Sequence, residues 1–246
     1  MRIRIFPTPD SAAHALAADV AGAVAADPSI VLALPTGRTP MRFYRELVAL
    51  HRQQAVDFSR VTTFTLDEFT GIAPSDARSY RAFMQRHLFD HVNVSPRRLH
   101  FLNGVAADAE AECRRYERAI ARAGGIDLMI LGLGRNGHIG FNEPGAFLIA
   151  GTHRTRLAGA TRRANRALFG SRAADVPRAA LSMGIATILQ ARRIVLVATG
   201  TAKAGCVARM ANGPVTPRLP ASFLQLHSRA ELWLDRAAAG RLGHPR

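Results

Sequence analysis

The chain is poor in cysteine and almost without lysine. Two cysteines, Cys113 and Cys206, stand in 246 residues, one in a charged helical segment and one in an alanine-rich one. Neither has metal-binding spacing, so each reads as a buried or idle thiol. No uninterrupted apolar run reaches the roughly 20 residues of a membrane-spanning helix. The start, Met1-Arg-Ile-Arg-Ile-Phe6, alternates like a strand and lacks the long apolar core of a signal peptide. A cytoplasmic protein without membrane partners is expected. Also missing are a linker, an internal repeat, the lysine-containing P-loop pattern and any recognisable DNA-binding motif. Of the 33 basic residues only Lys203 is a lysine.

The formal charge of +15 suggests polyanion affinity, but the arginines are scattered along the chain. The expectation is a broad positive field that attracts phosphorylated substrates, with no specific nucleic-acid partner. His87 and His91 are four apart on an expected helix. No glutamate follows the first histidine and no third ligand is evident, so no metal is expected there.

Strand and helix patterns alternate throughout, which predicts an α/β fold: one domain over residues 1–246 with an open, mostly parallel sheet and helices on both faces. Strands are expected at Arg2–Phe6, Ile30–Leu34, Val61–Leu66, within Ile126–Leu133, at Arg193–Ala198 and at Ala230–Leu234. Helices are expected at Ser11–Ala26, Pro40–Gln54, Ser79–His91, Ala107–Ala123, Pro177–Leu189 and Ala202–Ala211. The polar, arginine-rich stretch of about 147–171 lacks strong periodicity and is a candidate lid.

Three strand ends carry chemistry. After the apolar run 126–133 comes Gly-Arg-Asn-Gly-His-Ile-Gly-Phe-Asn-Glu-Pro144, which sets His138 and Glu143 five residues apart among glycines. An imidazole moves protons near neutral pH, and a nearby carboxylate can orient it. In Val61-Thr-Thr-Phe-Thr-Leu-Asp-Glu68 the acids Asp67 and Glu68 sit where a strand should end. Taken alone, such a pair reads as a helix cap or a solvated turn. In Val31-Leu-Ala-Leu-Pro-Thr-Gly-Arg-Thr-Pro40, amides and hydroxyls of the kind that cradle a phosphate follow a strand. Gly37 permits a tight turn, Thr39 can cap, and Pro40 suits a first helical position. Open α/β sheets build sites at such ends.

With these loops in hand, the chain resembles the glucosamine-6-phosphate deaminases, of the wider family that includes 6-phosphogluconolactonases. The similarity runs over almost the whole length, through Pro35–Pro40, Thr65–Phe69, Ser79-Tyr80, Asn103-Gly104, Gly137–Pro144, Thr161–Asn165, Gly200–Lys203 and Pro220–His227. The Phe-Asn-Glu-Pro run after the histidine is the most specific piece. Lactonases share the Gly-His portion and carry an arginine where Phe69 stands. The resemblance implies a Rossmann-like fold and an aldose–ketose isomerisation coupled to loss of ammonia. It gives Asp67 the transfer of a proton from C2 to C1, His138 the opening of the sugar ring, and Glu143 the pairing with His138. It implies that Thr36, Gly37, Arg38, Thr39, Arg162 and Lys203 hold the phosphate, and that no metal or organic cofactor takes part.

There are departures. Asn136 stands where well-known deaminases have an aspartate that completes an Asp–His–Glu set. It can accept an imidazole N–H but brings no charge. Arg38 replaces a frequent glycine. Ala146 and Ala158 stand where allosterically controlled members carry a serine and a lysine, and only Arg156 of that effector cluster matches. A galactosamine-type deaminase, a lactonase and a non-catalytic sugar-phosphate-binding regulator are the competing readings. The family includes monomers and larger assemblies, which leaves homo-oligomerisation open.

Overall fold

Residues 1–170 and 172–243 are described by a computed structural model of the chain. Ser171, the last residue of the lid candidate, lies outside them. The main sheet contains β1 (Arg2–Phe6), β2 (Val31–Leu34), β3 (Thr62–Thr65), β5 (Leu99–His100), β6 (Leu128–Gly132), β9 (Arg193–Ala198) and β10 (Ala230–Asp235). Its order is β1-β10-β9-β6-β2-β3-β5, and every pairing is parallel. From β2 the chain proceeds outward through β3 and β5. It then returns to β6 on the other side of β2 and proceeds through β9 and β10. The order therefore reverses between β2 and β6, and the crevice at their carboxyl ends is where a ligand fits an open α/β sheet.

The central strands β2, β6 and β9 are covered on both faces and read as continuous apolar runs, whereas the edge strand β1 alternates and is mostly exposed. Along β9, Val195 and Val197 face the core shared with α1 (Pro9–Ala26) and α2 (Pro40–Arg52). Ile194, Leu196 and Ala198 face the core shared with α4 (Ala109–Arg122) and α7 (Thr201–Asn212). Strand side chains alternate between faces, so one run of apolar residues serves both cores. Local signals set the helix starts. Thr8 and Ser11 form a capping box ahead of α1 with Pro9 in the first turn, and Asp108 accepts the amides of Glu110 and Ala111 ahead of α4.

The structure departs from the sequence pattern in three places. Pro177–Leu189 is not one helix: it is strand β8 (Ala179–Ser182) followed by the short α6 (Ile185–Leu189). The Ala-Ala-Leu-Ser run has helical propensity, but it pairs on both sides in a second, antiparallel sheet of order β4-β8-β7, with β4 at Asp67–Phe69 and β7 at His153–Arg156. Tertiary pairing overrides a weak local preference. Second, Asp67 and Glu68 do not end a strand; they open β4 after the chain leaves the main sheet at Leu66. Third, the lid candidate, for which the sequence predicts no element, contains β7 and the helix α5 (Gly159–Asn165). The helix expected over Ser79–His91 is α3 (Tyr80–His87) followed by a 3-10 turn at Phe89–His91.

Gly184 allows the turn between β8 and α6. A Cβ there would come within 2.1 Å of the Gly151 carbonyl oxygen and 2.3 Å of that of Ala150, and both atoms belong to backbone. Gly184→Ala is expected to lower stability by roughly 1–3 kcal/mol, the usual cost of overpacking, measured by urea unfolding; an unchanged midpoint would contradict this packing.

Candidate active site

The loop after β6 folds back on itself. The Gly134 amide donates to the His138 carbonyl at 2.9 Å and the Gly137 amide to the Gly134 carbonyl at 3.1 Å. A Cβ on Gly134 would lie 2.4–2.5 Å from the His138 ring, so the imidazole rests directly against bare backbone. His138 Nδ1 is 3.5 Å from Glu143 Oε2 and 3.3 Å from the Thr161 hydroxyl on α5. Glu143 in turn accepts Asn136 Nδ2 at 2.8 Å and the Ala158 amide at 3.2 Å. Burial pushes Glu143 up, but its bonds with His138, Thr161 and Asn136 and the His138 charge outweigh burial and leave its carboxyl below the usual value. With Nδ1 engaged on this side, Nε2 is the nitrogen left to exchange a proton with a ligand. Asn136 takes a part different from the one expected. Its amide donates to Glu143, and its side-chain oxygen faces the His138 backbone amide at 3.3 Å, not the imidazole.

The two acids of β4 have separate fates. Glu68 accepts the amides of Phe69, Tyr80 and Arg81 at 2.9–3.0 Å and so caps α3; burial pushes it up to about 7 against the pull of those three amides. Asp67 is buried, and its Oδ1 has no hydrogen-bond partner. Burial, helped by the Glu68 charge, pushes Asp67 up to about 8. The His138 loop passes over it: a Cβ on Gly140, whose φ is +54°, would sit 3.7 Å from Asp67 Oδ2. Ser182, the β8 partner of Asp67 in register, accepts the Phe141 amide at 3.0 Å. Asn142 donates to the carbonyls of Ile139 and Met183 at 2.9 and 2.8 Å. The small sheet thus fastens Asp67 beneath the histidine loop.

The expected phosphate residues are distributed around the same strand ends. Gly37 has φ +104° and makes the turn after β2. Tyr80, close to Thr36, donates its hydroxyl to Asn165 of α5 at 3.3 Å. Thr39 caps nothing: it already has helical φ and ψ, and its hydroxyl makes no cap bond, whereas Pro40 takes the first turn as expected. Arg38 and Thr39 border a cavity of about 160 Å³ with Gly132 and Thr199, at the ends of β2, β6 and β9; neither Asp67 nor His138 lines it. Lys203, in the first turn of α7, donates its ammonium to the Leu133 carbonyl at the root of the histidine loop. Burial pulls its pKa down, and Arg135 nearby adds repulsion. Arg162 is turned onto the carbonyls of Val176 and Ala174, both at 3.2 Å.

Asn136, His138 and Glu143 are therefore one bonded cluster with Asp67 fastened beneath it, Lys203 reaches the root of the same loop at Leu133, and Arg162 faces the segment before β8. Three further residues shape the site. Thr161 sets the His138 ring, Ser182 docks the loop, and Asp235 accepts the Gly200 amide at 3.0 Å and the Ala238 amide at 2.7 Å, which fixes the turn that starts α7. Asp235 had a visible signal, an acid closing the apolar run Ala-Glu-Leu-Trp-Leu. Ser182 had none, because its segment reads as helix.

The raised Asp67 pKa has a sign that can be tested. The folded chain holds a proton between the ordinary value of 3.8 and about 8 that the unfolded chain releases, so stability falls as pH rises through that window. The melting temperature of Asp67→Asn should gain on that of wild type between about pH 4 and 8 and run parallel above it. A constant difference across the window would contradict a protonated Asp67.

Residues 8–233 match the family described as glucosamine-6-phosphate isomerases/6-phosphogluconolactonase. A glucosamine-6-phosphate deaminase of Halothermothrix orenii is 48% identical over 223 residues, 91% of this chain and 92% of that protein. One from Clostridium botulinum (strain Kyoto / Type A2) is 42% identical over 242 residues, 98% of this chain and 99% of that one. The solved structure of a monomeric glucosamine-6-phosphate deaminase superposes with a TM-score of 0.95 at 41% identity, covering 98% of this chain and 100% of that one. A 6-phosphogluconolactonase from Trypanosoma brucei, 18% identical with a TM-score of 0.76 and coverage of 98% of each chain, shares the fold. By sequence and by structure, this chain belongs to the glucosamine-6-phosphate isomerase/6-phosphogluconolactonase family.

Proposed function

We propose that this chain is a glucosamine-6-phosphate deaminase, converting D-glucosamine 6-phosphate and water to D-fructose 6-phosphate and ammonia. The observation that carries the reading is the pairing of a buried, partnerless carboxyl, Asp67, with an imidazole held by its own carboxylate on the adjoining loop. One group can move a proton between neighbouring carbons while the other serves the ring oxygen. Similarity to deaminases over nearly the whole chain supports the same reading.

In this mechanism the phosphate rests against the Thr36–Thr39 amides, the Lys203 ammonium and Arg162, with Arg38 at the rim. His138 protonates the ring oxygen as the C1 hydroxyl loses its proton, and the sugar opens to the aldehyde. Asp67 removes the C2 proton while one ammonium proton passes to the C1 oxygen, giving an enol-amine, and then delivers its proton to C1, leaving an iminium at C2. Water adds there and ammonia leaves. Without substrate, Asp67 holds its proton near neutral pH. An arriving ammonium on C2 favours the carboxylate, because an opposite charge at close range lowers an acid's pKa. Binding of the amino sugar would thereby create the base that attacks it. We assign the stretch 147–171 the part of a cover, since α5 already supplies Thr161 to His138.

Phe69 speaks against lactone hydrolysis. It is fully buried among Tyr80, Phe141 and Phe169, with ring centroids at 4.7–5.4 Å, and that setting has no room for the arginine of lactonases. An ammonia and fructose 6-phosphate assay across amino-sugar phosphates, with a 6-phosphogluconolactone control, tests the reading. Lactone hydrolysis without ammonia release would overturn it, and preference for the galactosamine substrate would move it to the epimer.

Asp67→Asn should cut turnover by roughly 10²–10⁴, the range for a lost general base, with a much smaller change in KM. Near-normal turnover in the folded variant would remove Asp67 from the proton transfer. Lys203→Ala should raise KM for the phosphorylated sugar clearly, and Lys203→Arg should raise it less, since the ammonium is packed under the Leu133 carbonyl where a broad planar guanidinium does not fit. An unchanged KM in both variants would free Lys203 from phosphate binding.

A further inference from the structure

Seven of the 32 arginines pair with acids among the described residues, Arg115 with Glu112, Arg192 with Asp127 and Arg193 with Asp19 and Glu231 among them. Of the others, three converge on α7. Arg135 comes from the histidine loop, Arg209 from α7 and Arg241 from the turn after the short C-terminal helix α8 (Arg236–Ala239). None of the three forms an ion pair among the described residues. They border one groove of about 630 Å³ with Thr201, Gly205 and Cys206, and no acidic residue lines it among the described residues.

We propose that this groove is a second anion site, for a small molecule carrying two or more phosphoryl groups. Like charges gathered with no counter-charge repel one another, and an anion placed among them relieves that repulsion. Gly205 lines the groove from α7, and a Cβ there would be in ordinary van der Waals contact with an Arg241 guanidinium nitrogen at 3.5 Å, so Arg241 lies over this stretch of the helix. Each guanidinium can take a phosphoryl group through two parallel N–H bonds. Three of them around a groove of this volume are more than a single phosphate uses, which selects an oligophosphate over a monophosphate. The amides opening α7 at Thr201 add to the positive end.

The groove is separate from the strand-end phosphate residues yet touches their scaffold. Cys206, on its floor, has its sulfur 3.4 Å from where a Cβ on Gly137 would lie. The underside of the histidine loop is thus one wall away from the bound anion.

Calorimetry with inorganic tripolyphosphate at physiological salt tests the site without requiring turnover. One tripolyphosphate per chain is expected for wild type, with a similar Kd for Lys203→Ala and a Kd raised about tenfold or more in Arg209→Gln/Arg241→Gln. If the double variant fails to fold, Arg135→Gln alone should show the loss in smaller measure. Loss of binding in Lys203→Ala would place the anion in the strand-end site and overturn the proposal. So would unchanged binding in folded arginine variants. Several tripolyphosphates per chain, displaced by single-stranded RNA in proportion to its length, would show only a diffuse field and overturn it too.

Discussion

The hydrogen bond from the Phe141 amide to the Ser182 hydroxyl, 3.0 Å long, is the contact on which the proposed catalytic arrangement depends. It joins two parts of the molecule that the main sheet alone would leave apart: the loop after β6 and the antiparallel sheet that opens at Asp67. Ser182 is the register partner of Asp67, so whatever docks on its hydroxyl docks beside the carboxylate. Asn142 repeats the fastening one residue on, donating to both Ile139 and Met183. The parallel sheet supplies loops at its carboxyl ends, as such sheets do. The small sheet decides which of them meet.

The acid at that junction is an unfavourable element of the fold. Asp67 has an oxygen with no partner in the interior, and leaving a buried polar group unsatisfied costs about 1–3 kcal/mol, more when it is charged. A structural role would not select such a residue; Glu68 beside it shows what one looks like, with three amides on its carboxylate. The contrast between neighbours separates function from capping more sharply than either residue does alone. Strain of this kind persists where surrounding contacts determine the geometry and chemistry uses the result.

Much of this was legible in the sequence, and the reasons are specific. The central strands of the main sheet show as apolar runs because both faces are buried, as in Arg193–Ala198. Helix starts show through caps such as Asp108. His138 and Glu143 stand out as an imidazole and a carboxylate five residues apart among glycines, whereas Asp67, readable alone as a cap or a turn, gained its role only from the family resemblance. The second sheet did not show. Its strands are three or four residues long, too short for a period, and Ala179–Ser182 has the composition of a helix. The direction of Asn136 was also invisible, because an amide can donate or accept and only the packed Glu143 oxygen decides which.

The arginine-rich composition sharpens the meaning of the lone lysine. A guanidinium cannot be neutralised by burial, and it needs room for a planar fork of donors. On the surface that is no obstacle, and this chain uses arginine for every exposed cation. At the start of α7, however, the cation must fit under the Leu133 carbonyl, partly buried and close to Arg135. A second delocalised cation there would crowd the first, whereas a compact ammonium can donate to a carbonyl on one side and to an oxyanion on another. Lys203 therefore connects the root of the histidine loop to the helix whose first turn Asp235 fixes through Gly200. A phosphate drawn to that ammonium would be placed against the same backbone that positions the imidazole, so one contact sets both the grip on the substrate and the aim of the chemistry.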